Sequence, residues 1–343
     1  MKKVIIGLTK EELKTILQKN LFEKSYRVSQ IINWIYKKSI DSFEKMTDLP
    51  LETRKILKEN FSLDVFKDFT KDISKIDATT RYNFTTYDGY IVPAVYIPKL
   101  GRNVICISTQ IGCSIGCSFC NSGKISFKRN LTTPEIVGEV LYVQRDLGKI
   151  NNILFMGMGE PLLNYENLVS SIKIFTSEDM FAISRRKITV STVGLVPVIY
   201  RMIDDKIGIN LAVSLHSFDD NKRKKVIQNL NFSVDEIIEA AVKYSISTKT
   251  KLTIEYVLIK DFNDSIEDAK GLTKLFQKHV KNKSILKVNL IPFNFVETKF
   301  NYSAPNENTI DLFKQLLIKN GYMTFVRKPH GVDIGAGCGQ LGY

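Results

Sequence analysis

From Val104 onward the chain alternates short apolar runs with longer stretches in which apolar residues recur every three or four positions. The runs Val104–Thr109, Ile153–Gly157, Ile188–Thr192, Ile209–Leu215, Leu252–Ile259 and Leu286–Ile291 read as strands. Between them, Pro134–Leu147, Tyr165–Thr176, Val196–Ile203, Asp235–Tyr244 and Glu267–Lys278 carry the helical period. Thr133 is the expected cap of the first helix, with Pro134 in its opening turn. A helix Glu307–Lys319 and a strand Met323–Arg327 follow, ahead of a glycine-rich tail. Strands separated by helices predict a parallel α/β sheet, barrel-like or doubly wound.

Upstream the pattern differs. Thr9 and Glu12 are spaced as a capping box for a helix over Lys10–Gln18. Val28, Ile31, Ile32, Ile35 and Tyr36 repeat at helical spacing, and Leu51–Asn60 forms a further helix after Pro50. Residues 1–75 therefore read as a small helical domain. The stretch Thr79–Pro98 is rich in Thr, Tyr and Val around an Asp88-Gly89 turn. Residues 76–100 read as a β-hairpin linker, and 101–343 as the core.

Composition narrows the function classes. With 44% hydrophobic and 25% charged residues the chain can bury a substantial core. No apolar run approaches the ~20 residues a spanning helix needs, and the N-terminus lacks the apolar region of an export signal. A cytoplasmic protein is expected. The net charge of +13 favours an anionic partner such as nucleic acid. Lys124, Lys128, Arg129, Arg185, Arg186, Lys187, Lys222, Arg223, Lys224 and Lys225 are the candidate phosphate contacts.

Cys113, Cys117 and Cys120 form C-x3-C-x2-C directly after the first parallel strand. In a reducing compartment such cysteines are more often ligands or catalysts than disulfides. No fourth cysteine lies nearby, and a structural zinc site wants a fourth ligand. Three ligands to a 4Fe–4S cluster leave one iron open for a substrate or cofactor. A zinc site or buried free thiols remain readings of the same residues. Gly157-Met158-Gly159-Glu160, Ser191, Ser214, His216 and Asn294 stand at or just beyond strand ends, where parallel sheets build their sites.

The spacing resembles the radical S-adenosylmethionine superfamily. CISTQIGCSIGCSFC, FKRNLT, ILFMGMGEPLLN, VSTVG, NLAVSLHS, IEYVLIKDFNDS, VNLIPFN and DIGAGCGQL run in the order of its RlmN/Cfr family, over nearly the whole chain. The resemblance implies a partial (βα)6 barrel with an N-terminal helical domain, acting as a methyltransferase on adenine carbon in RNA. Cys113, Cys117 and Cys120 would hold one 4Fe–4S cluster. Gly159, Glu160, Ser191, Ser214, Leu215, His216 and Asn294 would bind S-adenosylmethionine, one molecule as methyl donor and a second as radical source. Cys338 would carry the methyl group, and Cys106 would resolve the RNA adduct through a transient Cys106–Cys338 disulfide. The implied partners are 23S rRNA, the adenosine beside a tRNA anticodon, and an electron donor such as flavodoxin or ferredoxin. A monomer with no membrane association is expected.

Pro161–Asn164 resembles the branch that methylates carbon 2 more than the resistance branch that methylates carbon 8. A radical enzyme with a non-RNA substrate and a non-catalytic zinc protein are the rival readings. Three departures stand out: Pro93 replaces a family glutamate, His330 replaces an arginine, and segment 225–232 lacks the usual proline-asparagine pattern.

Overall fold

The computed structural model describes residues 2–20, 26–297 and 300–342. One sheet of ten strands organises it. Its strands are β1 (Asp68–Ile73), β2 (Thr80–Thr85), β3 (Ile91–Lys99), β4 (Arg102–Ile107), β5 (Asn152–Phe155), β6 (Ile188–Thr192), β7 (Asn210–Ser214), β8 (Leu252–Leu258), β9 (Leu286–Pro292) and β10 (Met323–Val326). Spatial order follows chain order throughout. β1 to β4 pair antiparallel, and every pair from β4 to β10 is parallel.

Helices α1 (Lys10–Asn20), α2 (Tyr26–Ile32) and α3 (Leu51–Asn60) precede the sheet. The crossovers are α4 (Thr133–Leu147), α5 (Tyr165–Thr176), α6 (Val196–Asp204), the pair α7 (Asp220–Val226) and α8 (Val234–Thr248), α9 (Ile266–His279) and α10 (Glu307–Lys319). Parallel strands joined in order by helices curl toward a barrel. Here β10 stays unpaired to β4, leaving the barrel partial. The central strand β8 is buried at all seven residues, as a sheet covered on both faces requires.

Local chemistry explains the boundaries. Thr9 and Glu12 exchange the capping-box bonds at α1: Glu12 accepts from the Thr9 N–H, and Thr9 Oγ1 accepts from the Glu12 N–H. At α4 the cap is Thr132, not Thr133 as expected. Thr132 is extended and closes a capping box with Glu135, whereas the Thr133 hydroxyl bonds Asn167. The expected hairpin is β2–β3, and a third strand, β1, joins it from within the stretch read as helical. All six β1 residues are exposed. The polar string DFTKDI shows no apolar alternation, and its charges guard the sheet edge.

The N-terminal helices dock on α4. Gln144 donates to the Tyr36 carbonyl at 3.0 Å, and a side chain at Gly138 would press into Val65 and Phe66. One continuous apolar core runs from Ile5 to Tyr322. No helix among the described residues is long and apolar enough to cross a membrane.

Candidate active site

The loop after β4 carries the three cysteines across the carboxyl end of the sheet. Its path depends on Gly112, which has φ +74 and leaves no room for a side chain against the Ser126 carbonyl. The Cys113 N–H donates to Ile125 at 3.1 Å, and the Cys120 N–H to Cys117 at 3.2 Å. Cys113, Cys117 and Cys120 line one cavity of about 170 Å³ together with Gly159, Glu160, Ser191, Ser214, His216, Glu255, Asn294 and Cys338. All three thiols are free. Burial pushes the Cys113 thiol up to about 11 and raises Cys117 and Cys120 as well. Without a metal they stay protonated at neutral pH, and a metal would displace those protons.

Gly159 has φ +101, and a Cβ there would lie 2.5 Å from the Gln110 side chain. Its neighbour Glu160 is buried. Its carboxylate accepts from the Leu162 N–H at 3.0 Å and the Val193 N–H at 2.9 Å. Burial pushes its pKa up to about 7, against the pull of those two donors and Thr192. The carboxylate keeps lone pairs for an ammonium in the cavity. Ser191 and Ser214 face each other, Oγ to Oγ, at 3.2 Å.

His216 adopts φ +61, rare for a residue with a side chain. Its Nδ1 accepts from the Val257 N–H at 3.0 Å, so the ring proton sits on Nε2. Burial, then the charge of Arg223, lowers its pKa to about 3 and keeps the imidazole neutral. Leu215 departs from expectation: it is fully buried and does not line the cavity. β7 ends at Ser214; beyond it the Leu215 side chain packs in the core, and the backbone turns through the positive φ of His216 to place its ring on the cavity.

The C-terminal tail closes the site. Asn121 and Ser122 of the cysteine loop donate to Gln340 and Leu341 carbonyls at 3.0 and 2.7 Å. Asn294 donates to the Cys338 carbonyl at 2.9 Å, so its amide holds the tail as well as lining the cavity. On the far side His330 Nδ1 lies 2.9 Å from Asp77, and Arg81 bonds the Gly335 and Gly342 carbonyls. A second cavity of about 90 Å³ lies under the tail, lined by Cys106, Met156, Arg327, His330 and Cys338. Cys338 and Asn294 border both cavities. Cys106 sits in the β4 ladder, between Val95 of β3 and Leu154 of β5. Burial, with the neighbouring Cys338, holds its thiol far above the ordinary range. Cys338 keeps accessible surface, yet the surrounding walls and Glu255 raise its thiol too.

Two polar residues in the site escaped the sequence reading. Glu255, on β8, is buried in the first cavity and accepts from Asn289 at 2.8 Å. Arg223 was read as a phosphate contact. It is instead buried behind the cysteines. Other basic candidates are also engaged: Arg129 pairs with Asp88 and Glu135, and Lys222 with Asp268. Arg185 donates to the Lys206 and Ile207 carbonyls and, with Arg186 and Lys187, precedes β6 at the sheet end opposite the cysteines. Lys128, on a loop, and Lys224 and Lys225, on α7, stay exposed at the cysteine end.

The match to known proteins now has a geometry behind it. A model described as "Ribosomal RNA large subunit methyltransferase N-terminal domain" matches residues 4–63, and one described as "Radical SAM superfamily" matches 107–272. A probable dual-specificity RNA methyltransferase RlmN of Endomicrobium trichonymphae is 45% identical, covering 100% of this chain and 98% of its own. The namesake from Thermosipho melanesiensis is 44% identical over 99% and 98%. The chain belongs to the RlmN family of radical S-adenosylmethionine RNA methyltransferases. The crystal structure of a radical SAM methyltransferase from Sphaerobacter thermophilus superposes with a TM-score of 0.91 at 34% identity, covering 98% of both chains.

Family membership implies a 4Fe–4S cluster, and the residues can be tested for fit. Among the described residues no three His, Cys, Asp or Glu side chains are grouped to hold a single ion. A four-iron cluster asks for something else, each thiolate on its own iron. Three free, buried thiols around one cavity, with polar groups opposite, suit that requirement.

Proposed function

We propose that this enzyme methylates carbon 2 of an adenine in 23S rRNA, and the adenosine next to the anticodon in tRNA, through a methyl group carried on Cys338. The observation that carries the reading is the meeting of two cavities at Cys338. One is lined by Cys113, Cys117 and Cys120 and the other by Cys106, with Cys120 and Cys338 bordering both. When bound on its three cysteines, the cluster supplies an electron that cleaves S-adenosylmethionine to a carbon radical.

The chain's own residues do the rest. Glu160 and the Ser191–Ser214 pair hold the cofactor's amino-acid end, and the neutral His216 offers Nε2–H. Cys338, freed of its proton, attacks the methyl carbon of one S-adenosylmethionine; an S–C bond forms on Cys338 as the sulfonium S–C bond breaks and S-adenosylhomocysteine leaves. The carbon radical takes one hydrogen from that S-methyl group, and the Cys338 methylene radical adds to the adenine carbon. The ring radical so formed gives one electron back to the cluster site before the adduct is cleaved. The Cys106 thiolate then attacks the Cys338 sulfur; the S–C bond breaks, an S–S bond forms, the ring carbon loses its proton and the released carbon gains one. A dithiol from outside the chain supplies the two electrons and two protons that return the disulfide to thiols before the next cycle.

The test is anaerobic incubation of cluster-loaded enzyme with S-adenosylmethionine, a one-electron reductant and a 23S rRNA fragment, followed by mass spectrometry of nucleosides. Methyl on carbon 2 is expected and should vanish with Cys338→Ala. Methyl on carbon 8 would place the chain in the other branch. Retained methylation in Cys338→Ala would overturn the carrier role.

A further inference from the structure

Arg223 stands on α7, a short helix whose last residue accepts from the cysteine loop. The Ser118 N–H donates to the Val226 carbonyl at 3.0 Å, one residue beyond Cys117. Just downstream, Asn229 donates to the Ser114 carbonyl at 2.7 Å. This segment is therefore fastened to the back of the cysteine loop at two points.

Arg223 is 3% exposed. Nε donates to the Leu215 carbonyl at 2.9 Å, and Nη2 to Ser214 at 3.2 Å and to Val193. Those carbonyls lie at or just beyond the ends of β6 and β7, on the wall that also presents Ser214 and Val193 to the cavity. Carbonyls satisfy the donors but leave the charge uncompensated. Among the described residues Arg223 makes no ion pair. Asp220, one turn earlier, attracts it more weakly than Cys117 does. A buried cation without a carboxylate is costly to keep. Its strongest electrostatic partner is a cysteine that is a thiolate only when it binds metal.

The other charges around the cysteines are Glu160, which acts on Cys113 and Cys117, and Lys124, which acts on Cys120. Lys124 is exposed and bonds Asn121. Arg223 is thus the buried cation on that side.

We propose that Arg223 is an electrostatic positioning residue for the iron–sulfur cluster: its fixed positive charge behind Cys117 favours the reduced cluster over the oxidised one. The step concerned is the uptake of one electron from an external low-potential donor, with no proton moved. Reduction adds one negative charge to a site already carrying thiolates and sulfides. A cation held in a low-dielectric wall therefore stabilises the reduced state more than the oxidised state. The inference rests on the reading of Cys113, Cys117 and Cys120 as cluster ligands.

The experiment is a redox titration followed by electron paramagnetic resonance, on full-length protein with reconstituted cluster and neither S-adenosylmethionine nor RNA. Arg223→Gln should favour the oxidised cluster at least tenfold, a downward shift of about 59 mV for a one-electron couple. Arg223→Lys, which keeps charge but loses the fork, should fall between Gln and wild type. An unmoved midpoint in Arg223→Gln with an intact cluster overturns the proposal, as does an equal shift in Lys and Gln. If Arg223→Gln holds no cluster, Asp220→Asn decides. Removing that opposing charge should move the midpoint up, and no shift or a downward one overturns it. Wild type that takes up no iron and sulfide would instead sink the underlying cluster reading.

Discussion

Glu255 sets the chemistry of the thiol beside it. Burial raises the Cys338 pKa and the Glu255 carboxylate raises it further, while Arg327 opposes both. Glu255→Gln should therefore lower that pKa and increase the thiolate at a given pH. Alkylation of Cys338 by iodoacetamide near pH 8 should speed up, by up to roughly tenfold for each unit the pKa drops. Peptide mass spectrometry reads the rate, and an unchanged or slower rate would remove Glu255 from the account. Neither Glu255 nor Arg223 was legible beforehand, and the reasons differ. Glu255 lies within an apolar run that signals only a buried strand. Arg223 lies in Lys222–Lys225, a charge run indistinguishable by composition from a solvated face. The cysteine spacing and the strand-end positions of Glu160, Ser191, Ser214 and His216 were legible because chemistry and strand phase coincide there. Leu215 differs from its neighbours because its side chain packs in the core just past the end of β7, while Ser214 and His216 line the cavity.

Elements whose buried residues recur at a strand or helix period were the readable ones. β6, α5 and α10 match their expected limits, and the other parallel strands differ by a residue or two at their ends. β1 and α7 were missed because one is a polar edge and the other a short, charged helix. The tail is held by a different kind of contact. Asp77 accepts from the Gly331 N–H as well as meeting His330. Burial alone would raise the Asp77 pKa, but His330, Thr79 and Ser74 outweigh it and hold it below the ordinary range. A depressed carboxylate contributes stability above its unfolded pKa and loses it as pH falls through the folded one. The staple should accordingly persist at neutral pH and weaken below about pH 4. Asp77→Asn should mimic that loss at pH 7, seen as faster tryptic cleavage after Arg327. An unchanged cleavage rate would show that Arg81, Asn121, Ser122 and Asn294 secure the tail without Asp77. Gly159→Ala is the matching change at the mouth of β5. Positive φ and the Gln110 contact together should cost about 1–3 kcal/mol by denaturant unfolding and weaken S-adenosylmethionine binding. A stability equal to wild type would mean that the Gln110 side chain yields freely.

At the scale of the molecule, the net charge of +13 is sorted by the fold. Lys128, Lys224 and Lys225 surround the carboxyl end of the sheet, where both cavities lie; Arg186 and Lys187 lie at the other end. Paired Lys224→Glu and Lys225→Glu changes should weaken RNA binding and reduce the slope of log K against log salt by roughly one to two. The Arg186→Glu and Lys187→Glu pair should leave both nearly unchanged. Equal effects from the two pairs would mean that the charge acts diffusely and that this face is not the RNA surface.

The central claim is that Cys338 is joined to RNA and Cys106 releases it. Cys106→Ala removes the releasing thiol and leaves the carrier in place. After an anaerobic reaction with S-adenosylmethionine, reductant and the rRNA fragment, denaturing electrophoresis and peptide mass spectrometry should show RNA attached at Cys338. Free methylated RNA with no adduct, or an adduct that persists when Cys338 is also changed to Ala, would contradict the account.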